Sequence, residues 1–379
     1  MDDFPAIADL LNVDDFEKAA RRRLPRMYFE YIAGGAEDEV TLRDNRAAFD
    51  RWRFVPRVLR GVREVSLATT LLGREHSWPV LIAPMGVQRI VCDEGEIAMA
   101  RGARRQSTAF TLSTVATCSI EDVAEQAGPW GFQLYLLRDR SHTLDLVRRA
   151  EERGAASLIV TVDTPVMGNR ECNVRNRFVL PQGVGMANFD APAIQSLVDA
   201  TDGQGLVDLA QVNFEPAIGW SDIEWIASNT RLPIVVKGIL APEDARIAVD
   251  RGAKAIVVSN HGGRQLDGAV ATLDALPGIV DAVAGGCEVY LDGGIRRGAD
   301  IVKALALGAR AVFVGRPVLW GLAAGGEEGV VRMLEILREE LTVCLHLCGV
   351  ASPAGIDRSL VCQADRVSCS NSQRYQRQY

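Results

Sequence analysis

The chain has 379 residues, 48% of them hydrophobic and 24% charged, and carries a net charge of −7 at neutral pH. That balance is ordinary for a soluble globular protein, and the negative charge argues against nucleic acid or an anionic membrane surface as a partner. No apolar run approaches the ~18 residues that span a bilayer, and the Met-Asp-Asp start lacks the basic and apolar regions of a secretory signal, so a cytoplasmic location is expected.

In chain order, residues 1–79 read as a mostly helical segment, clearest over 13–33, expected to pack against or cap the remainder of the chain. Short β-rich runs then recur at 80–85, 110–114, 131–137, 157–163, 233–239, 255–261, 288–294 and 311–317, each followed by a helix-like stretch. None alternates strictly between apolar and polar, and continuous apolar strands are those buried on both faces, as in parallel sheets covered by helices. Arg153-Gly-Ala-Ala-Ser-Leu-Ile-Val160, Arg251-Gly-Ala-Lys-Ala-Ile-Val-Val258 and Leu307-Gly-Ala-Arg-Ala-Val-Phe-Val314 share one plan: a helix end, a glycine stop, a strand. Eight such units close into an α/β fold of the (β/α)8 TIM-barrel type, with a doubly wound open sheet as the alternative. The interval 164–232, after the fourth strand, is far longer than an ordinary connection and is expected to be a lid or excursion. Residues 1–365 read as one domain, and 366–379, polar and without periodicity, as a disordered tail.

Eight cysteines are scattered without the paired spacing of a zinc site. Helical spacing puts Cys344 and Cys348 on one face and turns His346 away, so buried thiols are expected and no metal.

Barrels of this kind build their active sites at the C-terminal ends of the strands. Here those ends carry Pro84-Met-Gly86, Ser113, Gln133 with Tyr135, Thr161 with Asp163, Lys237, His261 with Arg264, Asp292-Gly-Gly294 with Arg296, and Gly315-Arg316. The stretch Ser259-Asn-His-Gly-Gly-Arg-Gln-Leu-Asp267 presents a histidine, the side chain suited to act as a base near neutral pH, beside an arginine whose planar fork grips a carboxylate. Together they point to proton removal from a small organic acid; the plainer alternative is a polar loop whose histidine pairs only with backbone. Asp163 either supports His261 across the barrel mouth or caps the segment after it. The glycine amides of 293, 294 and 315 with Arg296 and Arg316 suit a phosphate between the last two strands. Lys237, on an apolar strand, is either half of a structural ion pair or a cation beside an electron-accepting ring.

Together these residues resemble the FMN-dependent 2-hydroxy acid oxidase and dehydrogenase family, which includes glycolate oxidase, lactate oxidase and mandelate dehydrogenase. The resemblance runs from about residue 14 to 360. It includes Leu24-Pro-Arg-Met27, Tyr31-Ile-Ala-Gly-Gly-Ala-Glu-Asp38, Gln133-Leu-Tyr135, Thr161-Val-Asp-Thr-Pro165, Asn176-Arg-Phe178, Val236-Lys-Gly238, Asp292-Gly-Gly-Ile-Arg296 and Gly315-Arg-Pro317. It implies that Tyr31, Arg170 and Arg264 hold a substrate carboxylate, that Tyr135 bonds the substrate hydroxyl, and that His261 is the base with Asp163 behind it. For FMN it implies Pro84, Met85 and Gly86 through backbone, Ser113, Gln133 and Thr161 at the ring, Lys237 beside N1 and O2, and Ser259 nearby. Asp292, Gly293, Gly294, Arg296, Gly315 and Arg316 would serve the ribityl and phosphate groups. A homo-tetramer is implied in the same way.

Two departures from the family pattern bear on the substrate. Val115 stands where glycolate oxidases carry a tryptophan, and Gly86 where many oxidases carry alanine. Lost bulk at Val115 should enlarge the pocket, so the expectation is an aromatic 2-hydroxy acid such as mandelate or 4-hydroxymandelate, unless another side chain refills the volume. The excursion carries Asp190, Asp199, Asp202, Asp208 and Glu215 and looks soluble, and no haem domain precedes the barrel, so oxygen is the expected acceptor, giving hydrogen peroxide. A dehydrogenase with another acceptor or an aliphatic substrate is the alternative. Further rivals are a redox-neutral flavin isomerase, which would not need Arg170 and Arg264 together, and a non-catalytic barrel, which would not need His261, Asp163 and Tyr135.

Overall fold

The computed structural model describes residues 6–189 and 213–364. Eight parallel strands close on themselves: β1 (Val80–Ile82), β2 (Ala109–Ser113), β3 (Trp130–Leu134), β4 (Leu158–Thr161), β5 (Ile234–Ile239), β6 (Ala255–Val258), β7 (Glu288–Leu291) and β8 (Ala311–Val314). β8 pairs back onto β1, Val312 opposite Val80, which excludes the open sheet. The strands read as continuous apolar runs because both faces are covered. Val235 and Val257 point into the barrel with Ile159, Tyr290 and Phe313, while Val236, Ile256 and Val258 join the core beneath the helices.

The three glycine stops of the repeated plan all lie in the left-handed region, with φ of 80° at Gly154, 85° at Gly252 and 106° at Gly308. Each lets a helix end abruptly and turn into the next strand without the Cβ clash another residue would meet. The observed strands stop two or three residues short of several expected runs, at Ile82, Thr161, Val258, Leu291 and Val314. The remaining residues of those runs leave the ladder to line the barrel mouth.

The N-terminal segment departs from the expectation in two ways. The helix expected over 13–33 is two, Val13–Arg23 and Arg26–Ala33, broken at Leu24-Pro25, where proline lacks an amide donor and pushes its predecessor out of helical geometry. After the helix Val40–Asp50 the segment stops being helical. Strand Trp52–Phe54 pairs with Val361–Gln363, and the hairpin Thr69–Leu71 with Arg74–His76 closes the far end of the barrel. Leu71 packs into the barrel interior, and the Leu72 amide donates to Glu288 Oε1 at 2.9 Å.

The excursion after β4 contains a short helix, Glu171–Arg175, and returns through the helix Trp220–Ser228. Its residues 190–212, with four of the five acidic residues noted above, lie outside the described residues, as do those of the expected tail. Cys348 is buried and Cys344 half-buried on the long last helix while His346 is exposed, and burial pushes the Cys344 thiol up to about 12. No helix among the described residues is long and apolar enough to cross a membrane.

Candidate active site

Residues 261–263 form a left-handed run, with φ of 58° at His261, 67° at Gly262 and 73° at Gly263. Two glycines make the turn affordable, and Gly263 is forced, since a Cβ there would lie 2.6 Å from the Leu42 amide nitrogen. His261 alone bears strain, of about 1–2 kcal/mol for an L-residue in this region. The turn aims its imidazole into the barrel mouth, where Nδ1 lies 2.8 Å from Asp163 Oδ1 and Nε2 lies 3.5 Å from the Tyr135 hydroxyl. Gly238 permits this: a Cβ there would meet the Asp163 Cβ at 2.7 Å. Thus Asp163 faces His261 and does not cap the segment after it.

The electrostatics separate the roles of this trio. Burial lowers the His261 pKa, with Asp163 opposing, so the imidazole is neutral near pH 7. Burial alone would raise Asp163, but His261 and Lys237 hold it down at about 2, so it is ionised. An ionised acceptor at Nδ1 keeps the proton on that nitrogen and leaves Nε2 as the basic end facing Tyr135. Burial, with Asp163 adding to it, pushes Tyr135 up to about 12, so the phenol remains a donor.

Around the trio the site is rich in buried positive charge. Arg170 is lowered to about 10 by burial and by Arg264, and Arg296 to about 10 by burial and by Arg46; both remain cationic. Arg264 donates to the carbonyls of Tyr31 at 2.7 Å and Gly34 at 2.9 Å, with its guanidinium 5.1 Å from the Tyr31 ring centroid. Arg316 reaches the carbonyls of Ile32, Gly262 and Gly34 at 2.9–3.0 Å. Arg170 donates to the Arg264 carbonyl and to Gln265, both at 3.3 Å. Four guanidiniums converge on one cavity with backbone carbonyls as their main partners, an arrangement suited to anionic ligands.

Tyr31, Pro84, Met85, Gly86, Ser113, Tyr135, Arg170, Lys237, His261 and Arg264 all line that cavity, as do Asp292, Gly293, Gly294, Arg296, Gly315 and Arg316. Gln133, Thr161 and Ser259 lie just behind it. Gln133 accepts from the Ser113 hydroxyl at 3.0 Å, and Ser259 accepts from Lys237 at 3.0 Å and from the His261 amide at 3.0 Å. Lys237 is also 3.2 Å from Asp292. Burial pulls its pKa down, but Asp292 and Asp163 more than compensate, so it stays charged.

Gln133 Nε2, Thr161 Oγ1 and Asp292 Oδ1 are buried without a hydrogen-bond partner. Such atoms are costly unless a ligand satisfies them. Gly293 and Gly294 have φ of 92° and 82°, and a Cβ on Gly294 would sit 2.1 Å from the Asn45 carbonyl, so bare amides border the cavity there. Orphaned donors and acceptors at one end, a cation in the middle, and amides with arginines at the other fit a flavin ring, its polyol and its phosphate.

Several further residues support the site, although the motifs that contain Asn260 and Phe178 assign those two no role. Asn45 and Asn260 exchange amide hydrogen bonds at 2.8 and 2.9 Å, tying an N-terminal helix to the histidine loop. The buried Glu96 accepts from the Gln88 and Thr117 amides, each at 3.0 Å, fixing the loops after β1 and β2 to each other. Phe178 and Phe214 stack on the two site tyrosines. Among those outside the motifs, Glu96 alone carries a signal in the sequence, as a lone acid among the small apolar residues of its helix. Between the loops that Glu96 joins, the departures Gly86 and Val115 touch: a Cβ on Gly86 would lie 2.4 Å from Val115 Cγ2. Valine therefore occupies the space an alanine methyl would take, and Met167, Met186 and Phe214 complete an apolar wall.

Residues 20–363 match the family described as FMN-dependent dehydrogenase. The chain is 48% identical to an L-lactate oxidase of Nostoc sp. over 94% of its own length and 99% of the relative's. It is also 48% identical to the 2-hydroxyacid oxidase 1 of Homo sapiens, over 93% of its length and 96% of the relative's. Among solved structures, that of a mandelate oxidase with (S)-4-hydroxymandelic acid superposes with a TM-score of 0.89 at 46% identity, covering 93% of this chain and 99% of the other.

Proposed function

The chain belongs to the FMN-dependent dehydrogenase family, and from there we propose that it oxidises an (S)-2-hydroxy acid, one with an aromatic side chain such as mandelate or 4-hydroxymandelate, to the 2-oxo acid with oxygen as the electron acceptor. When bound, FMN supplies the two-electron acceptor, so that a secondary alcohol becomes a ketone and oxygen becomes hydrogen peroxide. Ser113, Gln133, Thr161, Lys237, Ser259, the amides of 84–86, and Asp292, Gly293, Gly294, Arg296, Gly315 and Arg316 would hold it. Arg170, Arg264 and Tyr31 hold the carboxylate. Tyr135 donates to the hydroxyl oxygen, and His261 Nε2 takes a proton while Asp163 stabilises the imidazolium that forms.

The observation that carries the aromatic reading is the wall of Val115, Met167, Met186 and Phe214 beside Tyr135. It offers apolar contact and no hydrogen-bonding group to a substrate side chain. Lactate and glycolate oxidases are as similar to this chain as the mandelate oxidase, so the wall and not the overall likeness supports this reading.

The test mixes the yellow protein anaerobically with (S)-mandelate, follows the visible flavin band, and then admits air. Bleaching followed by fast recovery with peroxide is expected. Bleaching that persists in air would mean another acceptor, and a higher kcat/KM for glycolate than for mandelate would overturn the aromatic substrate.

A further inference from the structure

Each site tyrosine is backed by a phenylalanine from the excursion between β4 and β5. Where the chain leaves, Phe178 lies face to face with Tyr31, ring centroids 4.4 Å apart and planes 16° from parallel. Where it returns, Phe214 lies against Tyr135 at 4.5 Å and 23°.

Both phenylalanines are fixed to the backbone that carries their tyrosine. Tyr28 meets the Phe178 ring edge-on at 6.1 Å, and Asn176 donates to Glu30, the neighbour of Tyr31, at 2.6 Å. Phe214 bridges Leu137; the Glu215 amide donates to Leu136 at 2.9 Å, and the Arg138 side chain donates to the Phe214 carbonyl at 3.1 Å. A tyrosine hydroxyl oxygen lies on the axis of χ2, so only a swing about χ1 or a backbone shift moves it, and a ring stacked on its face opposes that swing; misplacing a reacting group by about 1 Å costs about 10²-fold in rate.

We infer that Phe178 and Phe214 are positioning residues, through which the two ends of the excursion set the hydroxyl positions of Tyr31 and Tyr135. The inference rests on the proposed function, and it separates the two ends. Tyr31 stands under Arg264, on the carboxylate side, while Tyr135 faces His261 at 3.5 Å, on the side of the chemistry.

Methionine keeps much of the volume of phenylalanine without the ring. Phe178→Met should raise KM about tenfold with kcat nearly unchanged, and weaken phenylacetate, a carboxylate without the hydroxyl, by the same factor when titrated against the flavin spectrum. Phe214→Met should lower kcat about tenfold and weaken phenylacetate by much less than that. In a Tyr135→Phe background the Phe214→Met effect on kcat should vanish, because both changes act on one hydroxyl. Phe178→Tyr, which keeps the stack on Tyr31, should keep KM at the wild-type value.

Variants that lose only thermal stability, with kcat and KM per bound flavin unchanged, would overturn the inference. So would a Phe214→Met effect that persists in the Tyr135→Phe background, or one confined to aromatic substrates, which would mean that Phe214 acts only through its contact with the substrate side chain and not through Tyr135. If a methionine variant does not load FMN, the leucine variant at that position gives the same readout. Wild-type enzyme that bleaches with no 2-hydroxy acid would instead sink the proposed function, while phenylacetate titration still reports on Phe178.

Discussion

Gly86→Ala is the substitution whose outcome the structure fixes most tightly. The added methyl would lie 2.4 Å from Val115 Cγ2 and 3.0 Å from the Val115 carbonyl oxygen. Neither loop can drift to relieve it cheaply. The Val87 amide donates to that same carbonyl at 3.1 Å, and Glu96 holds both loops through the Gln88 and Thr117 amides at 3.0 Å each. Overpacking by one methyl in such a setting costs about 1–3 kcal/mol, while replacing glycine at an ordinary φ returns about 0.4–1 kcal/mol through the unfolded chain. We therefore predict a net loss of about 1–2 kcal/mol, read as a lower urea midpoint at saturating FMN with an unchanged m-value. Val115→Ala removes the obstructing methyl, so the double variant should recover at least about 1 kcal/mol relative to the sum of the two single changes. Because Val115 lines the cavity, a shift of its side chain away from the new methyl should also reduce kcat/KM for mandelate more than for glycolate. Additivity of the two substitutions within about 0.5 kcal/mol would refute the steric argument.

Two further outcomes come from the charges. His261 is held below the ordinary imidazole value of 6.5 by burial, with Asp163 opposing, so kcat/KM should fall only as pH drops below that value and the base becomes protonated. Asp163→Asn removes the opposing carboxylate, so the acid limb should move to still lower pH while kcat falls by about 10²–10⁴-fold; a limb that moves upward would contradict the pairing. Arg296, whose guanidinium lies 4.9 Å from the Trp320 ring centroid and donates to the Ile295 carbonyl at 2.8 Å, is the residue proposed to meet the FMN phosphate. Arg296→Met should raise the FMN Kd by about 10- to 150-fold, the equivalent of one charge-assisted hydrogen bond of about 1.5–3 kcal/mol; an unchanged Kd in a fluorescence titration would remove Arg296 from the cofactor site.

Legibility in the sequence tracks the range of the interactions involved. The barrel could be read because its signals are local: apolar runs buried on both faces, and glycine stops at 154, 252 and 308. The residues at the strand ends could be read because the barrel topology gathers consecutive ends at one mouth, so His261 and Asp163 meet although 98 residues separate them. The helix break at Leu24-Pro25 is equally local, although the stretch 13–33 reads as one helical segment. The supports of the site carry no such local signal, apart from the lone acid Glu96. The Asn45–Asn260 pair, the Glu96 clamp and the two stacked phenylalanines each depend on where a distant segment returns, and ordinary asparagines and phenylalanines do not announce that. The contact between Gly86 and Val115 belongs to the same class: each departure was visible, but that one fills the space left by the other was not.

The reciprocal amides of Asn45 and Asn260 bear on how far this site can be transplanted. They are buried, 215 residues apart in sequence, and the Asn45 side chain also accepts the Thr272 amide while its carbonyl abuts Gly294. The loop that carries the histidine and the amides that border the phosphate end are thus braced by a segment that is not part of the barrel. Copying the eight strand ends onto another barrel would leave out Tyr31 and Arg170, and would also strip the Asn260 side-chain amide and the Thr272 N–H of the partner that Asn45 supplies. The smallest portable unit is the barrel with its excursion and the two helices that carry Tyr31 and Asn45.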